Sequence, residues 1–194
     1  MAETDPAPNE PTTAEMPRRL PGDLSTEALV DRILRVDHAG EYGAKRIYEG
    51  QLAVLGGRRG DPVIRHMAEQ EQRHLASFEK LVVERRARPT LLQPLWHVAG
   101  FALGAATAML GEKAAMACTV AVEETIDAHY RRQAERLGDA EPKLKDTIEE
   151  FREDELEHRA TALEHGAKEA PGYVPLTAAI KRASRLAIWL SERF

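Results

Sequence analysis

Two short segments place titratable residues where a helix would bury them. In "IEEFREDELEHRATAL", residues 148–163, Ile148, Phe151, Glu155, His158 and Ala162 recur at spacings of three and four, so they share one helical face. That face begins apolar and then carries a carboxylate and an imidazole. Ile64, Met67, Glu71, His74, Phe78 and Leu81 repeat the pattern. A buried, ionised Glu is costly unless it is paired or binds a metal, which makes each Glu-x-x-His pair a candidate ligand pair. Two further stripes hold one solitary carboxylate each. Glu41 lies between Leu34 and Ala44, Tyr48 and Leu55; Glu123 lies in a seven-residue series of Met109, Met116, Glu123, Tyr130 and Leu137.

The spacing is a separate test. Glu41 precedes Glu71 by 30 residues and Glu123 precedes Glu155 by 32, so the chain reads as a duplicated helical hairpin. One Glu from each of two helices, with Glu-x-x-His from each of the other two, is the ligand set of ferritin-like di-iron and di-manganese carboxylate bundles. Four inward carboxylates offset the charge of two dications, and imidazole with oxygen donors suits iron or manganese.

The elements that must position these residues follow from punctuation. Ser25 or Thr26 caps a helix that runs to Gly56-Gly57, and Asp61-Pro62 opens a second that stops before Pro89. Pro94 opens a third stretch reaching Gly138, with a possible break at Gly111; a fourth runs from Pro142 to near Gly166, and "LTAAIKRASRLAIWLSERF" forms a last amphipathic helix. No segment alternates as a strand does, so the fold is all-α: a ferritin-like four-helix bundle with additional apolar and C-terminal amphipathic helices. Residues 1–22, rich in Pro, Thr and acids, read as a disordered tail without the order of a signal or transit peptide, and 23–194 as one domain.

Composition excludes other classes. A net charge of -5 gives no footprint for nucleic acid, and the single Cys118, expected in the core, allows no intramolecular disulfide or thiolate cluster. The glycines of "GGRRG" follow no strand, so there is no Rossmann fingerprint. Reducing equivalents would come from the substrate, a diffusing reductant or a partner reductase. Residues 91–110, "LLQPLWHVAGFALGAATAML", are marginal in length for a membrane span and are interrupted by His97, so a helix lying in the interface is expected. Burial in a homo-oligomer is the alternative. The last helix, with Lys181, Arg182, Arg185 and Arg193 beside Leu186, Ile188, Trp189 and Leu190, offers a second, basic and aromatic membrane contact.

The segments "RVDHAGEYGAKRIYEGQLAVLG", "EQRHLASFEKL", "AMACTVAVEETIDAHYRRQ" and "FREDELEHRATALEHGA" resemble the demethoxyubiquinone hydroxylase family of di-iron monooxygenases in ubiquinone biosynthesis, and the "DHAGEYGA" box is its specific mark. The resemblance runs from about Ile33 to the C-terminus. It implies two irons per chain, O2, a polyprenyl demethoxyquinone or quinol substrate, and attachment to a membrane; with the single cysteine pointing to a reducing setting, peripheral attachment to the cytoplasmic face of the cell membrane is expected. By motif it makes Glu41, Glu71, His74, Glu123, Glu155 and His158 the metal ligands. Where eukaryotic members often carry Tyr in the C-terminal "IYLSER", this chain has Trp189.

Asp37, His38, Asp127 and His129 lie within six residues of a ligand Glu and could orient the imidazoles or relay protons, as ordinary interhelical hydrogen bonding could equally explain. Tyr130 and Tyr48 sit on core stripes, where packing is the first expectation; support of the metal ligands by Tyr130, or electron transfer through a tyrosine near the iron, is the alternative. Glu124 and Glu157 are expected to face solvent. Leu95, Trp96, Phe101 and Leu103 are expected to touch the membrane or the substrate tail. Two rival classes use the same residues differently: an iron-storage or peroxide-detoxifying bundle would give the apolar segment no purpose, and a metal-free scaffold would leave four core carboxylates unneutralised.

Overall fold

The computed structural model describes residues 22–57 and 61–194; the expected tail lies almost entirely outside them. Helices α1 (Thr26–Leu55), α2 (Asp61–Arg85), α3 (Gln93–Met109), α4 (Glu112–Leu137), α5 (Pro142–Glu164) and α6 (Tyr173–Ser191), with one 3-10 turn at Ala167–Glu169, account for its regular structure. The chain is all-α, as expected. Ser25 caps α1, its side chain accepting a hydrogen bond from the Ala28 amide at 3.1 Å. Pro94 and Pro142 sit in the first turns of α3 and α5, where a missing N–H costs nothing.

Gly111, at φ 114°, ends the continuity between α3 and α4. That break corrects the seven-residue series. Met109 belongs to the end of α3 and is 70% exposed, whereas Met116, Glu123, Tyr130 and Leu137 are buried along α4.

The four helices α1, α2, α4 and α5 form the ferritin-like bundle, and its core is layered. One apolar cluster joins Tyr48 and Leu55 of α1, Ile64 and Met67 of α2, Met116 and Val120 of α4, and Ala162 of α5. A second joins Ile33 and Leu34, Phe78 and Val82, Tyr130 and Leu137, and Ile148 and Phe151 from the same helices. Along each helix the titratable residues fall between the two clusters: Glu41, then Glu71 and His74, Glu123, and Glu155 and His158. Burying the clusters holds the polar layer together at mid-bundle, since apolar area removed from water supplies the main driving force.

Helices α3 and α6 pack against α1 and α4 outside the bundle. The α1–α3 contact is a backbone contact. A Cβ at Gly104 would overlap the Ile47 carbonyl oxygen, and one at Gly50 would overlap that of Phe101. Cys118 is buried against Ile180 and its neighbours in a third, smaller cluster. No helix among the described residues is long and apolar enough to cross a membrane.

Candidate metal centre

Six side chains from the four bundle helices converge in the polar layer, all buried: Glu41, Glu71, His74, Glu123, Glu155 and His158. They form two overlapping groups whose donor atoms lie within 4.8 Å of one another, Glu41, Glu71, His74 and Glu155 in one, Glu71, Glu123, Glu155 and His158 in the other. Glu71 and Glu155 belong to both. His74 Nδ1 stands 3.5 Å from Glu41 Oε2 and 3.5 Å from Glu155 Oε1; His158 Nδ1 stands 3.2 Å from Glu71 Oε1 and 3.3 Å from Glu155 Oε2.

The donor set fits a pair of metal ions. Both oxygens of Glu71 and of Glu155, Oε2 of Glu41 and of Glu123, and Nδ1 of both histidines are buried without a hydrogen-bond partner. Buried polar atoms are seldom orphaned, and here the orphans all face one another. Glu71 and Glu155, common to both groups, are among the residues that would hold such ions. Without a cation, protons do part of the neutralising. Burial and the nearby carboxylates Glu155 and Glu41 push Glu71 well above the ordinary range; burial, then Glu155 and Glu71, do the same to Glu123. Burial would lower His74, but the Glu155 and Glu41 carboxylates beside its Nδ1 outweigh it when no cation is present and push the imidazole up to about 11.

The imidazoles are oriented from behind. His74 Nε2 donates to Asp154 Oδ2 at 2.9 Å, and His158 Nε2 donates to Gln70 Oε1 at 3.1 Å. An acceptor on Nε2 holds a proton there, so Nδ1 is the nitrogen that would meet a metal ion. Phe151 stacks on His74 at 4.1 Å between centroids. The solitary carboxylates are held by the tyrosines. Tyr48 donates to Glu123 Oε1 at 2.9 Å, and Tyr130 donates to Glu41 Oε1. Burial, then the adjoining carboxylate, pushes both phenols well above their usual range, so both stay donors.

These supports obey the duplication. Tyr48 and Tyr130 each follow a solitary Glu by seven residues, and each bonds the Glu of the other half. Gln70 and Asp154 each immediately precede a Glu-x-x-His, and each backs the histidine of the other half.

The sequence reading did not single out Gln70 or Asp154. The residues it offered for orienting the imidazoles lie elsewhere. Asp37 accepts from Gln133 Nε2 at 2.7 Å and lies 3.5 Å from His129, forming a separate buried cluster; Asp127 pairs with Arg152 at 2.6 Å. His38 is buried with Nδ1 unpartnered, and burial lowers its pKa. Glu124, expected to face solvent, is half-buried between Arg159 and Lys181.

Between the bundle and its two outer helices, α1, α3, α4 and α6 enclose an apolar cleft of about 180 Å³. Gly40, Gly43 and Ala44 of α1 and Val122 and Ile126 of α4 line it, and Trp96 and Leu103 close it from α3. Of the residues expected at a membrane, Leu95 is 51% exposed, while Trp96 and Leu103 are half-buried in the cleft wall and Phe101 is half-buried beneath the Arg46 guanidinium at 4.9 Å. The Trp96 indole N–H donates to Ser191 Oγ at 3.0 Å, tying α3 to α6. The outward apolar surface of these two helices includes Leu95 and Val98 on α3 and Leu186 and Trp189 on α6.

Comparison with known proteins agrees with this geometry. The profile of the family described as "Ubiquinone biosynthesis protein COQ7" matches residues 28–191. The chain is 65% identical over 176 residues, 90% of this chain and 83% of the relative, to a 3-demethoxyubiquinol 3-hydroxylase of Rhodospirillum rubrum. It is 54% identical over 175 residues, 88% of this chain and 81% of the relative, to a mitochondrial NADPH-dependent 3-demethoxyubiquinone 3-hydroxylase of Homo sapiens. It is 44% identical over 183 residues, 86% of this chain and 78% of the relative, to a mitochondrial 5-demethoxyubiquinone hydroxylase of Saccharomyces cerevisiae. A family match spanning most of the chain, with relatives this similar over most of their length, means that the chain belongs to the COQ7 family of ubiquinone biosynthesis proteins.

Proposed function

We propose that this chain is a di-iron, O2-dependent 3-demethoxyubiquinol 3-hydroxylase, with Glu41, Glu71, His74, Glu123, Glu155 and His158 as the metal ligands. Hydroxylation in ubiquinone biosynthesis is the activity of its relatives, and a quinol ring is the matching substrate. The observation that carries the metal assignment is the set of buried carboxylate oxygens and imidazole Nδ1 atoms without hydrogen-bond partners, all facing one centre. Iron, when bound there, supplies the activation of dioxygen that ring hydroxylation requires.

The chain's own residues do the rest. Asp154 and Gln70 hold the histidines in the Nδ1-ligating tautomer, and Tyr48 and Tyr130 hold one oxygen of each solitary carboxylate, leaving Oε2 free toward the centre. The apolar clusters on either side exclude water. The apolar cleft lined by α1 and α4 suits a flat quinol ring with a prenyl tail leading out between α3 and α6. A storage bundle would have no use for this cleft, which favours the hydroxylase. The exposed apolar residues of α3 and α6 then rest in the membrane interface where such a substrate resides, making the enzyme peripheral.

The test is turnover of a demethoxyquinol by the iron-loaded protein under labelled dioxygen. A product heavier by one labelled oxygen is expected, absent from the Glu155→Ala protein. An unchanged substrate with a fully iron-loaded protein and a competent reductant would refute the hydroxylase reading while leaving the metal assignment standing.

A further inference from the structure

A second cavity, about 230 Å³, opens between α1, α4 and α6. Arg32, Arg132, Arg136 and Arg185 all line it. The chain as a whole carries a net charge of -5, so four guanidiniums around one small volume run against its composition. Like charges grouped in this way repel and raise the local potential unless an anion joins them. Among the described residues none does so. The one acid in the wall, Glu192, has its Oε2 on Arg193 at 3.4 Å, outside the cavity lining. Among the described residues none of the four arginines has an ion pair or hydrogen bond. Arginines elsewhere do find carboxylates: Arg85 with Glu141, Arg152 with Asp127 and Arg159 with Glu124.

The rest of the wall narrows the ligand. Ile188 and the Trp189 ring, one face of which carries the Arg193 guanidinium at 4.2 Å, give one less polar side. Buried in the wall, Gln133 has an unpartnered Oε1 that can accept a hydrogen bond from a ligand hydroxyl. We propose that this cleft is a binding site for a phosphorylated ligand, whose phosphate the four guanidiniums engage while its less polar portion rests on Trp189. Guanidinium is the side chain best matched to phosphate, because its planar fork donates two parallel hydrogen bonds to two oxygens. The site goes beyond the hydroxylase reading and does not depend on the metal centre. The phosphate can come from a lipid headgroup, since α6 also presents Leu186 and Trp189 outward, or from a soluble polyphosphate ester.

Full-length protein is titrated with pyrophosphate by calorimetry and, separately, sedimented with vesicles of phosphatidylcholine alone or with phosphatidylglycerol added. The Arg132→Gln/Arg136→Gln variant changes two exposed residues of α4, and Arg185→Gln provides an independent variant on α6. Arg86→Gln/Arg131→Gln removes the same charge from exposed positions outside the cavity. Saturable pyrophosphate binding, weakened at least about tenfold by either cleft variant and little by the control, supports the site with a soluble ligand. A phosphatidylglycerol preference lost in the cleft variants alone supports it with a lipid headgroup. The proposal is overturned if the wild type shows neither, or if the control variant loses as much as the cleft variants.

Discussion

At the scale of single residues the centre is held by a reciprocal exchange between the two halves. His74 on α2 leans on Asp154 of α5, and His158 on α5 leans on Gln70 of α2. The exchange is chemically unequal, because Asp154 offers an anionic acceptor and Gln70 a neutral one. Asp154→Ala is therefore expected to weaken iron binding about 10- to 100-fold, the usual cost of removing a ligand's supporting acceptor, and Gln70→Ala to cost less. Competition with a coloured chelator measures both; equal affinity for Asp154→Ala and wild type would show that His74 needs no such support. The sequence predicted the convergence of the six titratable residues because helical spacing alone reports which face a residue occupies. Their supporting residues were harder to read, since Gln70 and Asp154 bond across the bundle and spacing says nothing about the opposite helix. The signal was nevertheless in the duplication, where a hydrogen-bonding residue stands immediately before each Glu-x-x-His and a Tyr seven places after each solitary Glu.

At the scale of elements, the apolar segment became α3, an outer helix seated on α1 through glycine. Gly104 meets the Ile47 backbone too closely for any side chain, whereas a Cβ at Gly43 would meet nothing within 4 Å. Gly104→Ala is expected to destabilise the fold by about 1–3 kcal/mol, the range of overpacking, and Gly43→Ala to be near neutral. Thermal melts compare the two; equal melting temperatures would mean that α3 is free to shift. The sequence did not reveal which face of α3 looks outward, because small residues on both sides leave the helical stripe without contrast. Trp96 and Leu103 turned toward the cleft, leaving Leu95 and Val98 outside. Leu95→Glu/Val98→Glu should then reduce sedimentation with vesicles severalfold and leave the melting curve nearly unchanged, since each buried methylene is worth roughly 0.8 kcal/mol at a membrane. Undiminished vesicle binding would move the contact off this face. The seven-residue series failed at Met109 for a local reason, the positive φ of Gly111, which spacing alone does not register.

At the scale of the whole molecule, a bundle with four carboxylates in its middle layer must neutralise them with protons or with metal. In the chelated protein Glu71 and Glu123 sit well above their ordinary value of 4.5, so the folded chain binds more protons than the unfolded one above that pH. Stability must then fall as pH rises from the carboxylate range toward the raised values. His74, raised from 6.5 to about 11, acts in the same direction above 6.5, while the lowered His38 opposes it around its own titration. Between pH 5 and pH 8 the chelated protein is expected to lose melting temperature, and the iron-loaded protein to lose much less; parallel curves would mean that the carboxylates are not in the buried layer. The most direct test of the account is the iron content of the purified chain after anaerobic loading, measured by mass spectrometry of the metal beside protein concentration. About two irons per chain are predicted for a six-ligand bundle site, with marked loss in Glu155→Ala, which removes a carboxylate common to both donor groups. A chain that takes up no iron, or a Glu155→Ala protein that holds as much as the wild type, would contradict it.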